Sequence, residues 1–583
     1  MKRLYFIIII LGITSTIFPQ SFNPVKCRAL SRDWKTIIDT TWAERNPTAF
    51  NLTVFDSVWN TIDRQYACFQ NLDIDWKALK DKYRPEIEAG VTRGRFAAIM
   101  NYLGLRLQET HTKFSDPGVN YGYVFDAPPG VPILYTGVWG RDSRFGAGLT
   151  PLADSTLLVY QAVENHPLGL IPGDIVLGYD GVPWKKLYKE LLKLEIPINM
   201  TSQWGANNEA FTHLWLSGAG QNWHLFDTID IKKFKTGEIV HLPTNLLVNK
   251  KFNITYSEQL PVPGVPWIDK SNNWSVAWGM VEGTKVGYIY VWNWFNGISV
   301  KFHDALDSLI NVNKAEGLIL DFRANYGGYV RESDRGLSLL FKNSAPTLSL
   351  VARSNPYDHF QMKNTSNYIF SDDSTAYFDK PIAVLTGPMS ISASDFIVKR
   401  LQYHPKVRVF GKSTSSAFAS ASRIMISNIE LDFAEYNGMD ISNPGEYLTH
   451  KKQKVDDDVW LTPEDVNKGE DSVVKKALKW INDNILSVNP ENTSAVAEFN
   501  LKQNYPNPFN PATTISYSIP KQSHVEMRIF DMLGREVSTI ASKEQSAGEY
   551  KVQFDASTLP SGVYIYTLQA GQFRDSKKLL LLK

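Results

Sequence analysis

"PIAVLTGPMSISASDFIVKRLQ", Pro381–Gln402, passes from an apolar strand-like run through three serines into an apolar-periodic helical run. Small residues surround Ser390, Ser392 and Ser394, as a tight strand-to-helix turn requires. A serine there has two readings. It is a preferred helix N-cap, or it is a nucleophile whose developing oxyanion meets the free N–H groups and positive dipole end of the helix. The stretch alone leaves both open.

Working outward, "VGYIYVW", "FHDALDSLINV", "GLILDF", "PIAVL" and "DFIVKRLQ" alternate strand and helix patterns between about Val286 and Ile485. Continuous apolar strands separated by amphipathic helices predict an α/β layer with a buried, largely parallel sheet. In "LILDFRANYGGYV", Leu318–Val330, Gly327 and Gly328 follow one such strand. Backbone without side chains can approach a ligand closely there. Ligands of open α/β sheets sit beyond the carboxyl ends of strands, where both loops begin. A plain tight turn is the other reading of the glycines.

Upstream, from about Asn51 to Asp116, the period is helical. In "GRFAAIMNYLGLRLQETHT", Phe96, Met100, Leu103 and Leu107 form one apolar face, and in "DIDWKALKDKYRPEI" Asp75 is placed to cap and Pro85 lies near the end. From about Pro132 to Leu192, "STLLVYQAV" and "GDIVLGYDG" are short glycine-punctuated strand patterns followed by a helical "WKKLYKELL". Residues 200 to 280 are aromatic and strand-rich without a clear period. Beyond Ser487, a turn-rich stretch and "NYPNPFNPATT" precede period-two runs with glycine turns at Gly534, Gly548 and Gly562, which predicts a separate small β-sandwich.

The 583 residues suffice for several cores, and the net charge of +1 gives no global field toward nucleic acid or an anionic membrane. No P-loop, HExxH or clustered Cys/His spacing is present, so no metal or cofactor is expected. Lys2 and Arg3 ahead of "LYFIIIILGITSTIF" read as a secretory signal ending near Gln20, too short to span a bilayer. Export permits a disulfide between Cys27 and Cys68; a buried free thiol at Cys68 is the alternative.

Several motifs together carry a family resemblance. "LILDFRANYGG" is similar to the D-x-R-x-N-x-G-G segment of the tail-specific, or C-terminal-processing, serine proteases. "SISASDF" resembles their S-A-S-E/D nucleophile turn, which places the nucleophile at Ser392. One branch of that family pairs the serine with a lysine from "G-E-x-T-x-G-K"; here "GKSTSSAF" puts Ala417 at the lysine position, and Lys412 aligns with an acidic one. The other branch resembles the core of the tricorn protease and takes a histidine after "L-x-D-x-H" at a helix end. "RLQETHTKFSD" implies His111 as that base, with Thr110 in a supporting place. As a lone residue, His111 would be a partner for the helix dipole. The resemblance also implies a late orienting carboxylate, for which Glu446 is the candidate and Asp456 to Asp458 compete, and oxyanion donors at Gly327, Gly328 and Ala393. His404 is expected to end the nucleophile helix, and His450 to be solvated.

"HPLGLIPGDIVLGYDGVPW" resembles a PDZ core, and "FGAGL" resembles its carboxylate-capturing loop, implying peptide contacts at Phe145, Gly146, Ala147, Gly148 and Leu149. A PDZ that only packs against the core is the alternative. "LKQNYPNPFNPATTISYSIP" and "SAGEYKVQFDASTLPSGVYIYTL" resemble a type IX secretion sorting domain. The implied organisation is multidomain α/β: signal peptide 1–20, helical domain 30–125, PDZ-like β domain 132–200, strand-rich connection 201–280, α/β (ClpP/crotonase-like) serine protease core 281–486, linker 487–500 and sorting β-sandwich 501–583. The expected partners are polypeptide substrates, through their C-termini, and the type IX machinery, with neither nucleic acid nor a membrane span. The rival expectation is a catalytically inactive protease fold that binds peptides at the cell surface.

Overall fold

The computed structural model describes residues 27–116, 119, 131–137, 145–199, 205–254, 257–267, 275–341, 345–370, 378–427, 429–486 and 499–583. The expected signal peptide and nearly all of the expected linker lie outside these residues. The chain forms two compact units, one running to Ile485 and one from Leu486 onward.

The central layer of the first unit is a six-stranded sheet. Its strands, in spatial order, are Val276–Met280, Val286–Val291, Gly317–Asp321, Ile382–Thr386, Val407–Gly411 and Asp457–Asp458. Only the first pair is antiparallel. The three central strands are buried at every residue, which is why they read as unbroken apolar runs. Ile289, Val291, Leu318, Leu320, Ile382 and Val384 share a core with the helices Ile298–Asp307 and Ala393–Leu401. The alternate residues Tyr288, Tyr290, Ile319, Ala383 and Leu385 share another with the helix Ser472–Leu486. Covering both faces fixes the carboxyl ends of the strands as the exposed working edge.

A second sheet joins the helical domain to this layer. The long strand Ile429–Asp440 pairs antiparallel with Lys113–Ser115, Ala345–Arg353 and Ala419–Ile426. The helices Thr48–Gln65 and Arg93–Arg106 pack on it through Val54, Phe55, Phe96, Met100 and Leu103, against Ala419, Leu431 and Phe433. His111 lies between the helix Arg93–Arg106 and the strand Lys113–Ser115, so this pairing sets its position.

The third sheet contains Ala147–Pro151, Leu157–Ala162, Ile175–Tyr179, Thr228–Lys232 and Ile239–Pro243. It continues past the expected boundary at residue 200, because Thr228–Lys232 pairs directly with Ile175–Tyr179. An intervening helix, Asn208–Ser217, and the 3-10 turn after it had hidden that continuity. In the second unit a three-stranded and a four-stranded antiparallel sheet enclose Ile515, Tyr517, Val525, Met527, Tyr566 and Leu568. The period-two pattern of this segment thus became a sandwich.

Cys27 and Cys68 are both buried free thiols, so the permitted disulfide is not formed. Among the described residues, no helix is long and apolar enough to cross a membrane.

Candidate active site

The strand Ile382–Thr386 ends at the turn that bears Ser392, immediately before the helix Ala393–Leu401. Ser392 has φ 60° and ψ −119°, a conformation that non-glycine residues adopt only when their surroundings impose it, at about 1–3 kcal/mol. The surroundings here are specific. Ser392 and Asp395 form a capping box, and the Asp395 carboxylate accepts the Ser392 N–H at 2.8 Å. The same carboxylate accepts the N–H groups of Ser416 at 2.8 Å and Ala417 at 3.1 Å, and the Ile391 N–H donates to Asn325 O at 2.9 Å. Burial pushes the Asp395 carboxyl up to about 7 in spite of these bonds. The neighbouring serines are set apart by burial. Ser390 donates to Phe322 O, and both Ser390 and Ser394 are fully buried, whereas Ser392 is half-buried.

The glycine loop lies against this turn. A Cβ on Gly327 would come within 2.7 Å of Ser392 Cβ, and one on Gly328 within 2.5 Å of Trp294 backbone. Both positions also have positive φ, 95° and 137°, so close approach and conformation both demand glycine. The Gly327 N–H is already committed to Asn325 Oδ1 at 3.0 Å. The Gly328 and Ala393 N–H groups are not drawn into any hydrogen bond among the described residues.

His111 is held by a carboxylate two residues before it. Glu109 Oε1 lies 2.6 Å from His111 Nδ1, and Glu109 Oε2 accepts the His111 backbone N–H at 2.9 Å. The Thr112 hydroxyl donates to Oε2 as well, at 3.1 Å, and accepts the Ala434 N–H from the long strand. The Glu109 side chain is wholly buried and the imidazole is 19% exposed. Burial alone would pull the His111 pKa down, but the Glu109 charge and hydrogen bond outweigh it and hold it above its usual value. Burial pushes Glu109 up, and the His111 charge and hydrogen bond return it below the usual carboxylate range. The charge of Asp395 also reaches His111, so the imidazole and the Ser392 turn share one electrostatic neighbourhood. A proton on Nδ1 leaves the Nε2 lone pair to accept another.

Other expectations meet different environments. Glu446 is bound to Lys451 and to Asn443 Nδ2, and it is Glu109 that occupies the ring of His111. Thr110 makes no hydrogen bond among the described residues; the supporting hydroxyl is that of Thr112. Lys412 pairs with Asp458 at 3.5 Å, and Ala417 is fully buried. His450 is not solvated: Nδ1 lies 2.9 Å from Ala206 O and Nε2 3.1 Å from Cys68 O, because its charged-looking stretch folds back under the helical domain. Glu109 was the residue missed in sequence, although "L-x-D-x-H" holds an acid at its place. That acid was the signal that could have found it.

The loop expected to capture a carboxylate is covered. Phe145 is 1% exposed, its carbonyl accepts from His166 Nε2 at 2.6 Å, and the strand Ala147–Pro151 is buried at every residue, Gly148 and Leu149 included. A Cβ on Gly146 would meet the Phe252 ring at 2.8 Å, and Phe252 stacks on His166 with centroids 5.8 Å apart. From the other side, a Cβ on Gly220 would meet Phe145 at 2.5 Å. The chain's own aromatics thus pack directly on the glycines of this region. Among the described residues, no group of three or more His, Cys, Asp or Glu is placed to hold a metal ion.

No curated protein matches the sequence. Residues 285–458 match Peptidase family S41, residues 47–104 the Tricorn protease C1 domain, and residues 503–582 the Secretion system C-terminal sorting domain. Similar solved structures include mature CPAF, at 12% identity and TM-score 0.52, covering 76% of this chain and 98% of that one. A CPAF mutant matches at 13% identity and TM-score 0.53, covering 76% and 99%. The photosystem II D1 C-terminal processing protease matches at 15% identity and TM-score 0.38, covering 71% and 94%. At these identities the likeness to the CPAF structures shows the fold. With a Peptidase family S41 domain around the serine turn, a tricorn C1 domain ahead of it and a sorting domain behind it, the chain is a serine-type peptidase bound for secretion or the cell surface by the type IX route.

Proposed function

We propose that this chain is a secreted endopeptidase of the tail-specific type, in which Ser392 is the nucleophile, His111 the general base and Glu109 the carboxylate that orients it. In the reaction, Ser392 Oγ attacks a peptide carbonyl while its proton passes to His111 Nε2. Glu109 keeps the ring in the Nδ1–H tautomer and balances the imidazolium that forms. The oxyanion is received by the N–H groups of Gly328 and Ala393, with Gly327 serving as the close-approach residue whose own N–H is engaged. The imidazolium then gives its proton to the leaving amine, and water repeats the sequence on the acyl-enzyme.

The observation that carries this reading is the buried Glu109 clamp on His111, an imidazole reached by the charge of the Asp395 that also holds the strained Ser392 turn. A structural histidine would not need a fully buried carboxylate on both its ring and its backbone. A fluorophosphonate probe tests it: labelling is expected at Ser392 and is expected to vanish in Ser392→Ala and in His111→Ala. Undiminished labelling of His111→Ala would remove the histidine from the mechanism. The PDZ-like domain, with its loop closed by Phe252, serves in this reading as a wall of the protease and does not capture substrate termini in this conformation.

A further inference from the structure

We infer that Phe295, Tyr326 and Tyr329 form an aromatic wall that selects the side chain of the substrate residue whose carbonyl is attacked. The inference rests on the hydrolytic reading above and extends it to the class of substrate.

Two large aromatics stand in water beside the site. Phe295 is 46% exposed and Tyr329 55% exposed. They make edge-to-face contact with ring centroids 6.2 Å apart, and Phe295 makes a second such contact with Tyr326 at 5.8 Å. Aromatic residues at an exposed surface cost solvation that a folding role does not recover, so a cluster of them marks a surface made to be covered. Tyr326 and Tyr329 directly bracket Gly327, which lies against Ser392, and Gly328, which lies against the Trp294 backbone.

The wall is built rigidly. The Trp294 N–H donates to Gly327 O at 2.8 Å and the Tyr329 N–H to Trp294 O at 2.7 Å, so the segment bearing Phe295 is sewn to the glycine loop. On the far side, Glu332 accepts the Gly297 N–H at 3.1 Å, the Ser299 N–H at 3.2 Å and the Ser299 hydroxyl at 2.8 Å. Exposed rings on a backbone fixed at both ends are pre-organised for a ligand and lose little freedom on binding. A carbonyl oxygen held by the Gly328 N–H belongs to the residue that lies nearest this loop, and that residue's side chain is the natural occupant of the wall. The chemistry favours aromatic and large aliphatic side chains and disfavours serine and aspartate.

The test uses the full chain and one fluorogenic peptide sequence varied only at that residue. Wild type is expected to favour Phe or Leu over Ser by about tenfold or more in kcat/KM, the range that apolar pocket contacts give. Phe295→Ala and Tyr329→Ala are each expected to reduce that ratio several-fold, and a ratio unchanged in both variants would overturn the proposal. A second measurement works without turnover. In Ser392→Ala, peptides ending in Phe are expected to bind about tenfold more tightly than the same peptides ending in Ser, with the difference lost on adding Phe295→Ala. Equal binding of the two termini would overturn the wall. Selective binding with no cleavage by the wild type would instead overturn the hydrolytic reading and leave the wall standing.

Discussion

Glu109 holds His111 at two points, its Oε1 lying 2.6 Å from the ring Nδ1 and its Oε2 taking the backbone N–H at 2.9 Å. Ring orientation and backbone position are therefore set by one side chain, itself fixed by Thr112 to the strand Ile429–Asp440. The first prediction follows from this clamp. Glu109→Gln should lower kcat by about 10²- to 10⁴-fold, the usual worth of correctly placed general base catalysis, while leaving KM near its original value. Steady-state kinetics on a single peptide would measure both.

The same pair sets a pH dependence. The His111 pKa is raised above its usual 6.5, so the ring stays protonated to a higher pH and activity should rise through a limb lying above 6.5. Removing the Glu109 charge removes the main force that retains the proton, so the limb in Glu109→Gln should move toward lower pH. The stability that the pair contributes is present below 6.5 and fades as pH rises through the folded value. A pH profile of kcat/KM in the two proteins would show the shift, and an unchanged limb would argue against the assignment of the base.

Asp395 gives the same sign over a lower range of pH. Its carboxyl is buried and pushed up from 3.8 to about 7, so the folded protein binds a proton there that the unfolded chain has already lost. Its contribution to stability should be greatest below pH 4 and should fall as pH rises toward 7. Asp395→Asn should flatten that part of the stability curve. Because Asp395 accepts the N–H of Ser392, the variant should also slow probe labelling. Melting temperatures between pH 4 and 8 are the direct measurement.

Gly327→Ala should be among the most damaging small substitutions in the chain. The added carbon would lie 2.7 Å from Ser392 Cβ and 2.8 Å from Ile391 O, at a backbone φ of 95°. Neither neighbour is the free end of a flexible chain, so the serine turn must shift. A loss of about 10²-fold or more in kcat is expected, as for misplacement of a reacting group by an ångström. Gly283 offers the control, since it also has positive φ but meets no atom within 4 Å. Gly283→Ala should cost some stability and little activity.

The closed PDZ-like loop makes a fifth prediction. Wild-type protein should show little preference between a peptide with a free C-terminus and its amide, because Phe252 and Phe145 fill the space above the loop. Phe252→Ala should open that space and introduce a preference for the free carboxylate, measurable by fluorescence anisotropy. Equal preference in both proteins would mean that the domain is permanently structural.

The α/β layer was legible in sequence because its three central strands are buried at every position and read as apolar runs between amphipathic helices. Residues such as Leu318 and Leu320 must face one covered surface while Ile319 faces another. The serine turn was legible as a strand-to-helix junction, and the strand Ile382–Thr386 and the helix Ala393–Leu401 do flank it. Three features were not legible. Glu109 acts across two residues of its own loop, where a short-range acid is indistinguishable from a solvated one until burial is known. His450 sits among lysines in sequence but under the helical domain in space. The Phe252 contact joins residues about a hundred positions apart, and no local pattern announces that an aromatic will return to cover a glycine loop.

One consequence concerns timing. In the proposed mechanism the place of His111 depends on the pairing of the strand Lys113–Ser115 with Ile429–Asp440, a contact between the beginning and the end of the first unit. On that mechanism a chain threaded unfolded through a pore carries an unactivated alcohol at Ser392, and hydrolysis waits on completion of the fold.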